Sequence, residues 1–171
     1  MKPMIKKILY ATDLSENSAF AYQYATDMAE RHDAMLVILH VFEELPSSAR
    51  VALETYLTEE QREKLSHRRE ETIERIRNRL NVFCEKVQKD DPECVYRVET
   101  IDVSEGFPAE VIIEKAKEYN CDVIIMGTHG KGMIGHAFLG SVAEKVLRRS
   151  KKPVFTIPLP KGELDISVHD F

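Results

Sequence analysis

The chain has 171 residues, of which 43% are hydrophobic and 31% are charged, and its formal net charge is −5 at pH 7. This composition is typical of one soluble globular domain and argues against a disordered or fibrous protein. The acidic balance argues against nucleic acid as the main ligand, because a phosphate backbone favours a basic surface.

The cysteines and the apolar runs bear on where the protein works. Cys84, Cys94 and Cys121 are odd in number and far apart, a pattern typical of neither a zinc site nor a disulfide framework and suited to a reducing compartment. The first apolar run is interrupted well short of a signal-peptide core, and no run reaches the length of about 18 residues that a membrane span needs. We therefore expect a cytoplasmic protein without a membrane span.

The first element is a short apolar run near the amino terminus. Lys7–Thr12 predicts a strand buried on both faces, because apolar residues follow one another without polar alternation. Asp13 comes directly after it. Ligands of open α/β sheets bind outside the carboxyl ends of strands, so Asp13 is either a ligand contact or a turn residue ahead of a helix.

A helix and a second buried strand follow. Apolar residues recur at helical spacing over residues 16–31 and predict a helix with one face packed on a sheet. Residues 35–41 form another continuous apolar run. Within it, His40 favours a structural over a catalytic role, because the sequence places no serine or cysteine partner beside it.

The middle of the chain is more polar. Residues 43–58 predict a loop or a short helical excursion, and residues 58–88 predict a long amphipathic helix rich in Glu, Arg and Lys. Its apolar stripe is too short for a coiled coil, so a solvated outer face is favoured. Residues 95–103 alternate and predict a strand toward a sheet edge. A helix opened by a proline at residue 108 comes next.

A buried strand, a glycine-rich loop and a helix then follow in direct succession. After the apolar run at residues 123–126, five glycines lie between positions 127 and 140, and a helical pattern resumes at Ser141. Inward-turned loop amides and the first N–H groups of a helix make a concave anion site suited to phosphates. Ser141 either caps this helix or gives its hydroxyl to a phosphate oxygen.

The spacing of the glycines distinguishes among phosphate-binding patterns. A G-x-G-x-x-G match begins at Gly130, but this loop follows a late strand and lacks an acidic residue about 20 residues on. No Walker Gly-Lys-Ser or Gly-Lys-Thr occurs. The arrangement Gly127-x-x-Gly130, then nine residues, then Gly140-Ser141 resembles the nucleotide-binding pattern of the universal stress protein family, in its ATP-binding branch.

The resemblance extends over most of the chain. Residues 8–15 are similar to the family's first strand and its aspartate-containing turn, and residues 39–41 are similar to the end of its second strand. Residues 1–158 are therefore expected to form the nucleotide-binding domain, with residues 43–93 matching least. Residues 159–171 would form a C-terminal tail.

The resemblance also implies a set of site residues, with ATP and either Mg²⁺ or Mn²⁺ as ligands. The residues expected to border the base and its edge are Ala11, Thr12, Asp13, Val41 and Met126. Those expected along the ribose and phosphates are Gly127, His129, Gly130, Gly140, Ser141, Val142 and Ala143. Lys131 either neutralises phosphate charge or points to water.

Three hypotheses on function follow. The favoured one is a homodimeric module that holds ATP, hydrolyses it slowly at most, and signals stress to an unidentified protein partner. The alternative is an ATPase or phosphotransferase activated by a partner, with Asp13 and His129 as the nearby candidates for chemistry. The third is a protein whose pocket is empty and whose dimer surface is its function.

The strand pattern predicts the architecture. Five strands with helices between them indicate a Rossmann-like α/β fold, a doubly wound open parallel sheet for which we expect the order 3-2-1-4-5. This order puts the first and fourth strands side by side, so that Asp13 and the loop at Gly127 share one crevice. The last strand is bracketed by prolines, which favour an edge. By resemblance, Val154–Ile157 pairs there with a second copy.

Overall fold

The computed structural model describes residues 4–43, 45–90, 97–128 and 139–158. In chain order the elements are β1 (Lys7–Thr12), α1 (Glu16–His32), β2 (Met35–Glu43), α2 (Ser47–Tyr56), α3 (Glu59–Asp90), β3 (Val98–Gly106), α4 (Pro108–Glu118), β4 (Val123–Gly127), α5 (Ser141–Arg149) and β5 (Val154–Ile157).

The five strands form one parallel sheet in the order β3-β2-β1-β4-β5, which confirms the predicted order. β1 lies at the centre. Its residue Ala11 is the register partner of Leu39 on β2 and of Met126 on β4. Because helices cover both faces, the central strands are apolar without alternation, and this is the signal that the sequence carried.

Each face of the sheet has its own core. Alternate strand residues point to opposite faces, so Ile8 and Tyr10 pack under α1 and α3, whereas Leu9 and Ala11 pack under α4 and α5. On the first face Tyr22 lies between Tyr10 and Phe83, with ring centroids 5.3 and 5.1 Å away. Such tilted aromatic contacts add to the hydrophobic stabilisation of the face.

The long helix α3 uses only part of its length for the core. Its carboxyl-terminal half packs on the sheet through Ile73, Ile76, Leu80 and Phe83, while residues 58–71 are exposed throughout. The helix begins with a capping box: the Gln61 N–H donates to the Thr58 hydroxyl at 3.3 Å, and the Thr58 N–H donates to Gln61 Oε1 at 2.9 Å. The predicted amphipathic helix is confirmed, and the excursion before it is the short helix α2.

No helix in the described ranges combines the length and the apolar character that crossing a bilayer requires.

A polar network ties the edge strand β3 to α4. Asp102 accepts hydrogen bonds from the Ser104 and Tyr119 hydroxyls, both at 2.8 Å, and Lys115 Nζ lies 3.1 Å from its carboxylate. Burial alone raises the pKa of Asp102, but the hydrogen bonds from Tyr119, Ser104 and Lys115 outweigh it and leave this pKa below its usual value. Burial and the bond to Asp102 raise the pKa of Tyr119 to about 12.

Replacing Tyr119 with phenylalanine tests this network. We expect the free energy of unfolding at pH 7 to fall by about 1 to 2 kcal/mol, because Asp102 loses a charge-assisted hydrogen bond. Since the pKa of Asp102 is depressed by folding, its contribution is present above the unfolded value of about 3.9 and is lost as the pH falls through the folded value. The difference between wild type and variant should therefore shrink in acid.

Urea unfolding from about pH 7 down to about pH 2 measures this difference. Tyr24→Phe is the matched control: Tyr24 is 48% exposed on α1, and its variant should stay within about 0.5 kcal/mol of wild type. Equal stability of wild type and Tyr119→Phe at pH 7 would contradict the proposed contribution.

Candidate functional site

The candidate site begins where β1 and β4 end side by side. Ala11 and Met126 are the last register partners of these strands, and Thr12–Asp13 and Gly127–Thr128 continue from them. The Thr128 N–H donates to the Ile157 carbonyl at 3.0 Å, which holds the start of the glycine-rich loop against β5. Two segments that are distant in sequence therefore leave the sheet at one edge.

The chain turns sharply after β1. Asp13 Oδ1 accepts the Ser15 N–H at 3.1 Å and the Ser15 hydroxyl at 2.6 Å, while the Thr12 hydroxyl accepts the Leu14 N–H at 3.1 Å. Leu14 between them has a φ of 61°. A left-handed leucine costs on the order of 1 kcal/mol or more, which the surrounding hydrogen bonds offset. The turn role predicted for Asp13 is confirmed, and its ligand role stays a prediction.

His40 anchors this turn to the neighbouring strand. Its Nδ1 lies 2.8 Å from the carbonyl oxygen of Thr12, its register partner across β1 and β2. A carbonyl only accepts hydrogen bonds, so Nδ1 carries the proton in this contact. His40 is 9% exposed, and a buried ring in this position fits the structural role favoured by the sequence. Sequence reasoning missed the bond to Thr12, because that bond depends on strand register.

The helix α5 begins at the same edge. Gly140 is its N-cap with φ −60° and ψ 149°, and no side chain caps the helix. The Gly140 N–H donates to the Thr128 carbonyl at 2.8 Å and brings the helix start back to the end of β4. The first backbone N–H groups of a helix have no intrahelical acceptor and carry a partial positive charge, so this start favours an anion.

Capping by Ser141 is therefore wrong, because Gly140 occupies the cap position and Ser141 is the first helical residue. The Ser141 side chain is exposed. Of the two roles that the sequence left open for Ser141, the phosphate contact remains a prediction.

The predicted site residues divide by exposure. Those that are less than a tenth exposed form the floor of the crevice, where the backbone rather than the side chain faces a ligand: Ala11, Thr12, Met126 and Ala143. Those that are partly exposed form its rim: Asp13, Val41, Gly127, Gly140 and Val142. Val41 stands on β2, one strand farther from β4 than the others. His129, Gly130 and Lys131 lie outside the described residues.

The described side chains do not build a metal cage of their own. Within residues 4–43, 45–90, 97–128 and 139–158, no group of three or more His, Cys, Asp or Glu side chains is placed to hold a metal ion. Asp13 is the carboxylate of the predicted site.

Comparison with known proteins gives a consistent result over almost the whole chain. The sequence model of the universal stress protein family matches residues 4–158. Universal stress protein MJ0577 of Methanocaldococcus jannaschii is 31% identical over 165 residues, which cover 92% of this chain and 97% of that protein.

Solved structures agree with the sequence match. The structure of MJ0577 superposes with a TM-score of 0.67 at 28% identity and covers 94% of this chain and 100% of that one. A universal stress protein solved in complex with cAMP superposes with a TM-score of 0.57 at 21% identity and covers 91% of this chain and 98% of that one. At that identity the likeness shows the fold alone.

Two substitutions at His40 test the anchor on Thr12. We expect His40→Leu to lower the free energy of unfolding by about 1 to 3 kcal/mol, because a buried carbonyl loses its donor. His40→Asn should cost less, since the asparagine amide offers an N–H near the position of Nδ1. Urea unfolding of the two variants measures the difference. Equal losses would mean that ring packing rather than the hydrogen bond matters.

Proposed function

Because this chain belongs to the universal stress protein family, we propose that it is a nucleotide-binding module that holds ATP in the crevice between the carboxyl ends of β1 and β4. The observation that carries the proposal is the contact between Gly140 and Thr128, which sets the start of α5 beside the end of β4. A helix N-terminus alone is a weak signal. Here it stands at the strand-order switch of a parallel sheet, where such folds bind their ligands.

The phosphates are assigned to the start of α5. Gly140 leaves the approach to the first turn without a side-chain cap, so the N–H groups of that turn face the ligand. The exposed Ser141 hydroxyl supplies a further donor. By resemblance, Gly127, Gly130 and Val142 line the same stretch, and His129 and Lys131 face the phosphates.

The base is assigned to the crevice above β1 and β2. Val41 is partly exposed and packs against the apolar cluster that contains Ala11, Leu39 and Met126. A flat base gains from such an apolar wall, and backbone groups at the strand ends supply its polar contacts. The anchored turn from Thr12 to Asp13 closes the opposite side.

The metal is assigned to the nucleotide rather than to a protein cage. Mg²⁺ is usually held by one or two carboxylates together with the phosphates of its substrate, and Asp13 stands at the crevice to supply one. Mg²⁺ or Mn²⁺ arriving with ATP would neutralise phosphate charge there. ATP is then held rather than rapidly consumed, and the bound state is what an unidentified protein partner reads.

Relatives support a nucleotide and leave its kind to experiment. The family member in complex with cAMP has this fold, so an adenine nucleotide suits a site of this architecture. ATP is favoured here because the complete glycine pattern extends past the strand end to Gly140, which leaves room for a chain of phosphates.

We further propose that two copies pair through β5. The carbonyls of Pro153 and Ile157 accept hydrogen bonds from β4, and strand residues alternate in direction, so the backbone groups of Val154 and Thr156 point to the free edge. The edge is also apolar, since Phe155 is 44% exposed. The opposite edge strand, β3, carries Glu99, Asp102 and Glu105 instead, which discourage pairing.

Gly140→Leu tests the phosphate assignment. The φ of −60° at Gly140 is open to any residue, so the fold should survive while the added side chain obstructs the start of α5. We expect affinity for ATP to fall at least about tenfold, a loss of about 1.4 kcal/mol, measured by calorimetry or thermal shift. Ser66→Leu on the exposed part of α3 is the matched control. Wild-type affinity in Gly140→Leu would put the site elsewhere.

Thr156→Pro tests the dimer. Proline removes a donor from the free edge and leaves the bonds between β4 and β5 in place, because it is tolerated where the N–H faces away from the ladder. We expect the dimer dissociation constant, measured by sedimentation, to rise at least about tenfold. Thr156→Val keeps the N–H and should dimerise as wild type does. Unchanged association of Thr156→Pro would exclude pairing through β5.

A further inference from the structure

A cluster of cations surrounds the turn between α5 and β5. Lys145, Arg148, Lys151 and Lys152 are all exposed there, and we call them the basic patch. The whole chain has a net charge of −5, so the patch runs against the charge of the molecule. It lies at the amino end of β5, on the opposite side of the sheet from the candidate nucleotide site.

Most of the positive charge of the patch is not neutralised locally. Arg148 has an acidic partner on its own helix, Glu144, at 3.4 Å. Within the part of the chain that the structure describes, Lys145, Lys151 and Lys152 take part in no ion pair. The patch can therefore bind an anionic segment without first giving up other contacts.

The electrostatics of α5 do not account for the whole patch. Cations in the last turn of a helix stabilise its negative end, which explains Arg148 and its neighbour Arg149. Lys151 and Lys152 come after the last helical residue, in the turn that leads to β5. Their charge serves some other partner.

The chain itself carries a segment of complementary charge. Residues 159–171 follow β5 and hold three carboxylates, Glu163, Asp165 and Asp170, against one lysine, Lys161. The carboxylates are interleaved with the apolar residues Leu164, Ile166 and Val168. Such a segment suits a surface that offers both cations and exposed apolar area, and Leu147, 41% exposed, lies within the patch.

The proposed pairing of two β5 strands decides which copy supplies the segment. In an antiparallel pair about a two-fold axis, the carboxyl end of one strand lies beside the amino end of the other. Pro158 of one copy then stands next to the turn of Lys151 and Lys152 in the other. The tail of the same copy starts instead at the far end of β5 and must reverse direction to return.

We propose that residues 159–171 of each copy bind the basic patch of the other copy in the homodimer. The contact occurs twice and extends the β5 interface at both ends. It rests on the proposed pairing through β5, and its contribution is electrostatic, so it weakens as salt rises.

Complementary charge reversals test the proposal. One variant carries Lys151→Glu and Lys152→Glu, and the other carries Glu163→Lys and Asp165→Lys. Each alone sets like charges against each other, and we expect each to dimerise at least about tenfold more weakly than wild type. Mixed together, with one chain labelled with ¹⁵N, they restore both attractive contacts in the heterodimer. Native mass spectrometry should show more heterodimer than random pairing gives.

Controls separate this result from its rivals. About 1 M salt, where the Debye length is about 3 Å, should remove the excess. Lys64→Glu with Lys117→Glu changes the net charge equally at exposed sites elsewhere and should give no excess with the tail variant. Random pairing of the two patch and tail variants would overturn the proposal and would favour a tail bound to its own copy or to nothing.

Failure of the tail contact is distinguishable from failure of the dimer. A wild-type protein that is monomeric overturns both proposals. A dimer that Thr156→Pro dissociates, but that pairs at random in the mixing experiment, leaves the β5 interface standing and overturns the tail contact alone.

Discussion

The site depends on one constraint, the pairing of β1 with β4 at the centre of a parallel sheet. On one side of this pair the connecting helices α1 and α3 cover the first face, and on the other side α4 and α5 cover the second. The loops after β1 and β4 therefore run to opposite faces and leave a crevice between them. Because both strands are buried and fully paired, the positions at which they end are fixed by the core.

Three backbone contacts carry this fixed geometry from the sheet to the crevice. His40 binds the carbonyl of Thr12, and the backbone N–H groups of Gly140 and Thr128 hold the start of α5 and the beginning of the glycine-rich loop in place. The left-handed Leu14 lies beside the first of them. Backbone strain held by surrounding hydrogen bonds is common where a turn must present its groups to a ligand. Rigid placement of backbone groups is what a nucleotide site in this crevice needs.

The sequence predicts the fold well because burial on both faces leaves a local signature. The apolar runs at β1, β2 and β4 cannot be solvent-exposed strands, and their alternation with helical patterns leaves few topologies. The same reasoning predicts that Asp13 and Gly127 meet at one edge, and the register of β1 and β4 agrees.

The details that the sequence did not predict depend on nonlocal geometry. Serine is the better N-cap by residue type, yet Gly140 takes the position because its N–H is held by Thr128 across the loop. The bond from His40 to Thr12 requires the register of β1 against β2, which no local pattern encodes. The short helix α2 has mixed polar and apolar residues, and its periodicity is too weak to separate a helix from a loop.

The central claim is that the crevice binds ATP, and nucleotide release from the purified protein tests it most directly. The protein is denatured, released nucleotides are identified by chromatography, and the native protein is titrated with ATP, ADP, AMP and cAMP in Mg²⁺ while its melting temperature is followed. We expect ATP to be released or, when it is added at about 100 times its dissociation constant, to stabilise the fold by about 2.7 kcal/mol. No released nucleotide and no shift with any of the four would contradict the claim.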